Sequence, residues 1–105
     1  DKPSNGVLQD VHWSVGLFGY FPTYSLGNIY AGCLFEALNA AVPNLEADLS
    51  EGNTGRATDW LRENLQQHGG LRSPKDTIVH AIGAEPTHAP LMGYLEKKFS
   101  EIYNL

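Results

Sequence analysis

His12, Tyr20 and Tyr24 are the side chains of this sequence best suited to chemistry, and Gln9 and Asp10 stand just before them. An imidazole and two phenols join apolar bodies to polar tips, which is the composition of a pocket lining. They fall in one stretch, Gly6 to Gly27, with Trp13, Phe18 and Phe21 among them and glycines at 16 and 19 between them. Glycine there permits turns and close backbone approach, while the rings give a wall its shape. A well-packed turn between two helices has the same ingredients, with the rings as core and His12 as a hydrogen-bonded structural histidine. Residue type alone leaves both readings open.

The elements that must position these side chains read as helices throughout. Leu8, Val11 and Val15 recur at helical spacing and predict a short helix over Val7 to Val15. On such a helix Asp10 and His12 point to different sides, so their spacing predicts no coupling between them. Gly16 to Gly19 breaks the pattern, and Pro22 suits the first turn of the next helix, where a missing N–H costs little. From there Leu26, Ile29, Tyr30, Cys33, Leu34, Ala37, Leu38 and Ala41 keep an i, i+3, i+4 stripe. That stripe marks Pro22 to Ala41 as the central helix, with Tyr20 and Tyr24 at its entry.

Pro43 ends that helix, and Asn44 to Ser50 predicts a short one. Thr54 is a candidate cap for a helix reaching Gln67, with Ala57, Trp60, Leu61 and Leu65 inward and Gly69 and Gly70 as its stop. Ser73-Pro-Lys-Asp76 opens a further helix to Ile82 with a serine cap, a proline and an acid in the first turn. Pro90 opens the last, striped by Leu91, Tyr94, Leu95, Phe99 and Ile102. No alternating strand pattern appears. The expected fold class is all-α, with about five or six helices in a single unit over residues 1–105.

Composition narrows the function classes. At 105 residues the chain is one domain or less, and 42% hydrophobic content is ordinary for a globular protein. A net charge of −5 offers no basic footprint for nucleic acid and no polybasic region for a membrane surface. No apolar run approaches the roughly 20 residues of a membrane span. Cys33 is the single cysteine, which excludes an internal disulfide and fits a reducing compartment. Its neighbours Ala31, Leu34 and Ala37 suit a buried small hydrophobe. His68, His80 and His88 lie at wide spacings without a carboxylate-rich motif between them, so a metal site made from them is not expected.

Gly6-Val-Leu-Gln-Asp-Val-His-Trp13 resembles the Gly-x-x-Gln-Asp-x-His-Trp signature of the M32 family of metallocarboxypeptidases. Gly19-Tyr-Phe-Pro-Thr-Tyr-Ser-Leu-Gly27 is similar to that family as well. So are Trp60-Leu-Arg-Glu-Asn64 with His68-Gly69, and the Tyr94-Leu-x-x-Lys-x-x-x-x-Tyr103 ending. The likeness spans essentially the whole chain and fits the C-terminal end of the family. The resemblance implies a zinc-dependent parent whose metal sits in a His-Glu-x-x-His helix plus a downstream Glu. That motif does not occur in this sequence.

The expectation is therefore a C-terminal fragment that binds no metal and hydrolyses no peptide alone. Its partners would be the missing N-terminal part of the same chain and, in the parent, a peptide substrate. By the same resemblance the parent would be cytoplasmic and a homodimer. Helices deprived of their neighbours would leave apolar surface bare and favour self-association.

In peptidases of this broader type a histidine and one or more tyrosines face the metal across the cleft. They donate hydrogen bonds to the oxyanion formed at the peptide carbonyl. The resemblance carries that role onto His12 and onto Tyr24 or Tyr20, with Tyr24 favoured because it starts a rigid helix. Gln9 and Asp10 match the signature as substrate-positioning or loop-fixing residues. A non-enzymatic α-helical peptide-binding domain is the alternative from a different class.

Overall fold

The computed structural model describes residues 2–105, with nothing said of the Val7 side chain. Five α-helices follow two short 3₁₀ turns, Pro3–Asn5 and Val7–Gln9. They are α1 (Pro22–Ala41), α2 (Leu45–Ser50), α3 (Gly55–Asn64), α4 (Pro74–Ile82) and α5 (Ala89–Tyr103), with a further 3₁₀ turn at Gln66–His68 between α3 and α4. The described residues contain no strand, so the chain is all-helical, as its periodicity predicts.

The central helix spans the predicted residues, with Pro22 in its first turn. It packs against α3, α4 and α5. Its stripe is used unevenly. Cys33 and Leu38 are buried, Leu26 is exposed, and the core continues past the helix end through Val42 and Leu45. Ala57 of α3 closes that cluster with Trp60 packed against it, and Ile78 and Ala81 of α4 complete the buried set. The Cys33 thiol donates to the Thr87 carbonyl at 3.2 Å, which ties α1 to the segment entering α5.

The ends of α4 follow their sequence signals. Ser73 Oγ accepts the Asp76 N–H at 3.2 Å and donates to the Asp76 carboxylate at 2.6 Å. Gly83 closes the helix in the left-handed region, at φ 74°. α3 departs from expectation at both ends. Thr54 makes no side-chain cap bond; Asn53 Oδ1 accepts the Gly55 N–H instead, at 3.3 Å. The helix ends at Asn64 rather than near Gln67, and Glu63 O, which a further turn would offer to the Gln67 backbone N–H, accepts the Gln67 side-chain amide at 2.7 Å.

The helix predicted over Val7 to Val15 does not form. The chain makes a 3₁₀ turn at Val7–Gln9 and then irregular hydrogen-bonded turns, Val15 N–H to Val11 O at 3.2 Å and Leu17 N–H to His12 O at 2.8 Å. A helix this short repays its nucleation cost poorly. The Asp10 side chain also takes the His12 N–H, at 2.8 Å, and so diverts it from a helical ladder.

For its length the chain is extended and poorly covered. Its radius of gyration is 17.4 Å, against about 13 Å for a compact domain of this size. Its accessible surface is 7873 Å², against about 5,800 Å² for a monomer of this mass. Phe18, Trp13, Tyr94, Phe99 and Ile102 are all exposed, and α5 has no buried residue. The stripe predicted on α5 exists, but only Leu91 and Leu95 along it are half-buried. Such bare apolar area favours association. The isolated chain should elute from size exclusion as more than a monomer and should bind a hydrophobic dye; a dye-silent monomer contradicts this.

The α1–α5 seam is set by Gly32. A Cβ built there would lie 2.9 Å from the Leu91 backbone nitrogen and 3.0 Å from its Cα. Gly32→Ala should therefore force the two helices apart and cost about 1–3 kcal/mol. Gly27, in the same helix, has nothing within 4 Å of such an atom. There Ala should stabilise by up to about 1 kcal/mol through helix propensity. Urea denaturation of the two variants checks that their signs are opposite.

Candidate functional site

The irregular segment and the first turn of α1 meet at the His12 ring. Gly16 at φ 80° and Gly19 at φ 73° hold left-handed conformations that side chains rarely adopt. They reverse the chain twice, so that Tyr20, Phe21 and Tyr24 return beside His12. Ring centroids lie 5.5 Å from His12 for Tyr20, 5.0 Å for Phe21 and 5.7 Å for Tyr24, the last edge-on at 86°. Tyr20 and Tyr24 contact each other edge to face at 5.4 Å. The histidine side chain keeps 20% exposure, and Tyr20, Phe21 and Tyr24 stay between 38% and 51% exposed. The result is an open aromatic shelf.

Two hydrogen bonds fix the imidazole on that shelf. Nδ1 lies 2.8 Å from Asp10 Oδ1, and Nε2 lies 2.8 Å from Tyr24 Oη. The same Asp10 oxygen accepts the His12 backbone N–H at 2.8 Å. Asp10 and His12 are thus coupled, contrary to the expectation from helical spacing. Helical geometry sends residues two apart to different faces, but an Asx turn folds the carboxylate back over the residue two positions on. The Asp-x-His spacing carried that signal. Tyr20 contributes a ring contact, and Tyr24 the hydrogen bond.

Gln9 lies exposed at the end of the Val7–Gln9 turn, with its backbone N–H on Gly6 O at 2.9 Å. Among the described residues its side chain joins no hydrogen bond. The Asp10 carboxylate is engaged by His12. Its carboxyl is held below the usual aspartate range, first by the His12 backbone N–H and then by the His12 ring. Cavities occur in the helical body as well. One of about 560 Å³ sits between α1, α2 and α5, lined in part by Phe35, Leu45, Leu49 and Tyr94.

His68 and His80, far apart in sequence, meet edge to face with centroids 4.8 Å apart. His68 Nε2 also lies 3.0 Å from Glu63 O. The charge of Arg72, then desolvation, then His68 push the His80 imidazole below its ordinary value. This pairing had no counterpart in the spacing of the sequence. Among the described residues no group of three or more His, Cys, Asp or Glu converges in a way that could hold a metal ion. No helix among them is long and apolar enough to cross a membrane.

Known proteins resemble this chain along nearly its whole length. The family model described as Carboxypeptidase Taq (M32) metallopeptidase matches residues 1–99. Thermostable carboxypeptidase 1 of Thermus thermophilus is 40% identical over 99 residues, covering 94% of this chain and 19% of that protein. Carboxypeptidase 1 of Bacillus subtilis is 40% identical over 102 residues, covering 97% of this chain and 20% of that protein. The crystal structure of an M32 carboxypeptidase from Deinococcus radiodurans R1 superposes with a TM-score of 0.87 at 38% identity, covering 99% of this chain and 21% of the other. The chain thus spans about a fifth of the length of the curated relatives it matches.

Because the first bond on Asp10 comes from a backbone N–H, the ring should not be needed to keep its carboxyl acidic. The sign follows from linkage: a depressed carboxyl stabilises the turn above the ordinary aspartate value and loses that contribution as pH falls through the lower folded value. Carbon-detected NMR titration should find Asp10 below the usual range in the native chain and still below it, by a smaller margin, in His12→Ala. Full return to the ordinary value in that variant contradicts the assignment.

Proposed function

The chain belongs to the Carboxypeptidase Taq (M32) metallopeptidase family, and from that premise we propose that it is the C-terminal part of a zinc-dependent carboxypeptidase. The parent enzyme releases residues one at a time from the C-termini of peptides. This piece supplies a wall of the cleft, and His12 and Tyr24 on it stabilise the oxyanion that develops at the scissile carbonyl. A hydrogen-bonded imidazole and phenol suit that task because they are held in place before the charge appears. The observation that carries the reading is the bonding of His12 to Tyr24 at 2.8 Å on an open shelf.

The family implies a divalent metal, but the residues present do not fit one. No cluster of ligating side chains forms among the described residues, and the sequence has no His-Glu-x-x-His. The metal, zinc in this proposal, would be held by other parts of the parent. This piece alone is inactive in this reading. The surface in excess of a compact monomer's is where the rest of the parent packs. A cytoplasmic homodimer is the setting proposed for the whole enzyme, in keeping with the single reduced cysteine.

The test is kinetic and uses the full-length parent. His12→Ala and Tyr24→Phe should each lower turnover by about 10²- to 10³-fold while bound metal stays unchanged. Unaltered turnover in both variants defeats the reading, and loss of metal on His12 substitution would make that histidine a ligand instead.

A further inference from the structure

We propose that Asp10, His12 and Tyr24 form a directional hydrogen-bond relay, in which the protonation of His12 decides whether Tyr24 offers its proton to the imidazole or to the cleft. The catalytic consequence rests on the oxyanion reading above; the relay itself rests on this chain alone. An ionised carboxylate can only accept, and Asp10 is ionised well into acid. The imidazole nitrogen 2.8 Å from it, Nδ1, therefore carries a proton. A carboxylate on one ring nitrogen fixes the tautomer in this way in other histidine sites.

The state of Nε2 then determines the direction of the second bond. With His12 neutral, Nε2 has only a lone pair, so at 2.8 Å the phenol must donate to it. Tyr24 has a single proton, and it is spent. With His12 cationic, Nε2–H donates to Tyr24 Oη and the phenol proton turns outward. Tyr24 is 51% exposed, so its outward side is open to a ligand. Both ring nitrogens of His12 are engaged in either state.

The oxyanion role proposed for the pair narrows accordingly: Tyr24 makes the direct contact with developing negative charge, and His12 acts through it. Asp10 is a positioning residue, and the outward donor exists only while His12 holds its second proton. The titratable groups recorded against that ring among the described residues are Asp10 from the turn and Tyr20 and Tyr24 at the entry to α1. Among them the Asp10 carboxylate is the one formal charge in contact with the ring.

Long-range proton–nitrogen NMR of the full-length parent, labelled with ¹⁵N-histidine and titrated with acid, tests the relay without any activity assay. When His12 is neutral, Nδ1 should show the shift of a protonated nitrogen and Nε2 that of a lone pair. Asp10→Ala should move the population toward the Nε2–H tautomer. Tyr24→Phe should leave Nδ1 protonated and shift Nε2 alone. A native His12 found as the Nε2–H tautomer, or averaged like a free histidine, overturns the relay, as does a tautomer unmoved by Asp10→Ala. The spectra and the kinetics of the parent fail separately. The expected tautomer with unaltered turnover removes the oxyanion role, while a lost turnover with the wrong tautomer removes the relay.

Discussion

Among the described residues one side-chain hydrogen bond, His12 Nε2 to Tyr24 Oη, fastens the irregular leading segment to the helical body. Upstream of it the chain has two 3₁₀ turns and a few local backbone bonds. Downstream stands a rigid helix of twenty residues. The position of the imidazole is therefore inherited from α1 through Tyr24, while its rotation is set by Asp10 through two bonds to one oxygen. Translation and orientation come from different parts of the chain. Ring contacts from Tyr20 and Phe21 narrow what remains. Preorganised chemistry needs this sort of support, because a donor free to wander loses most of its effect.

The body was legible wherever a long apolar period met a proper start or stop. Pro22 to Ala41 and Ser73 to Gly83 are examples, since many residues there agree on one answer. Legibility failed where a short side chain outbid the backbone ladder. Asp10 did so at His12, and Gln67 at the end of α3. Such competing bonds are local and leave little trace in a hydrophobic pattern. The pairing of His68 with His80 was illegible for another reason: it depends on how α4 is placed relative to the turn after α3.

At the candidate site, residue types point to side chains that meet, and spacing alone does not give the bonds between them. His12 and Tyr24 were singled out and do meet, with Tyr20 beside them as a ring contact. Asp10 matches the signature as a substrate-positioning or loop-fixing residue, and its carboxylate holds the His12 backbone and ring. The helical reading of Val7 to Val15 hides that coupling, because a helix sends residues two apart to different sides. One local conformation thus decides whether Asp10 and His12 are read as a pair.

The buried residues at 33, 38, 42, 45, 57, 78 and 81 all lie beyond the stretch that carries His12, Tyr20 and Tyr24. Interior packing and reactive groups therefore occupy separate lengths of the polypeptide. Such a division lets the leading segment be exchanged, shortened or re-sequenced by evolution or by an engineer with little loss to the folded scaffold. Innovation in specificity would then start at the first twenty residues, and Tyr24 would be the hinge that any replacement must still reach.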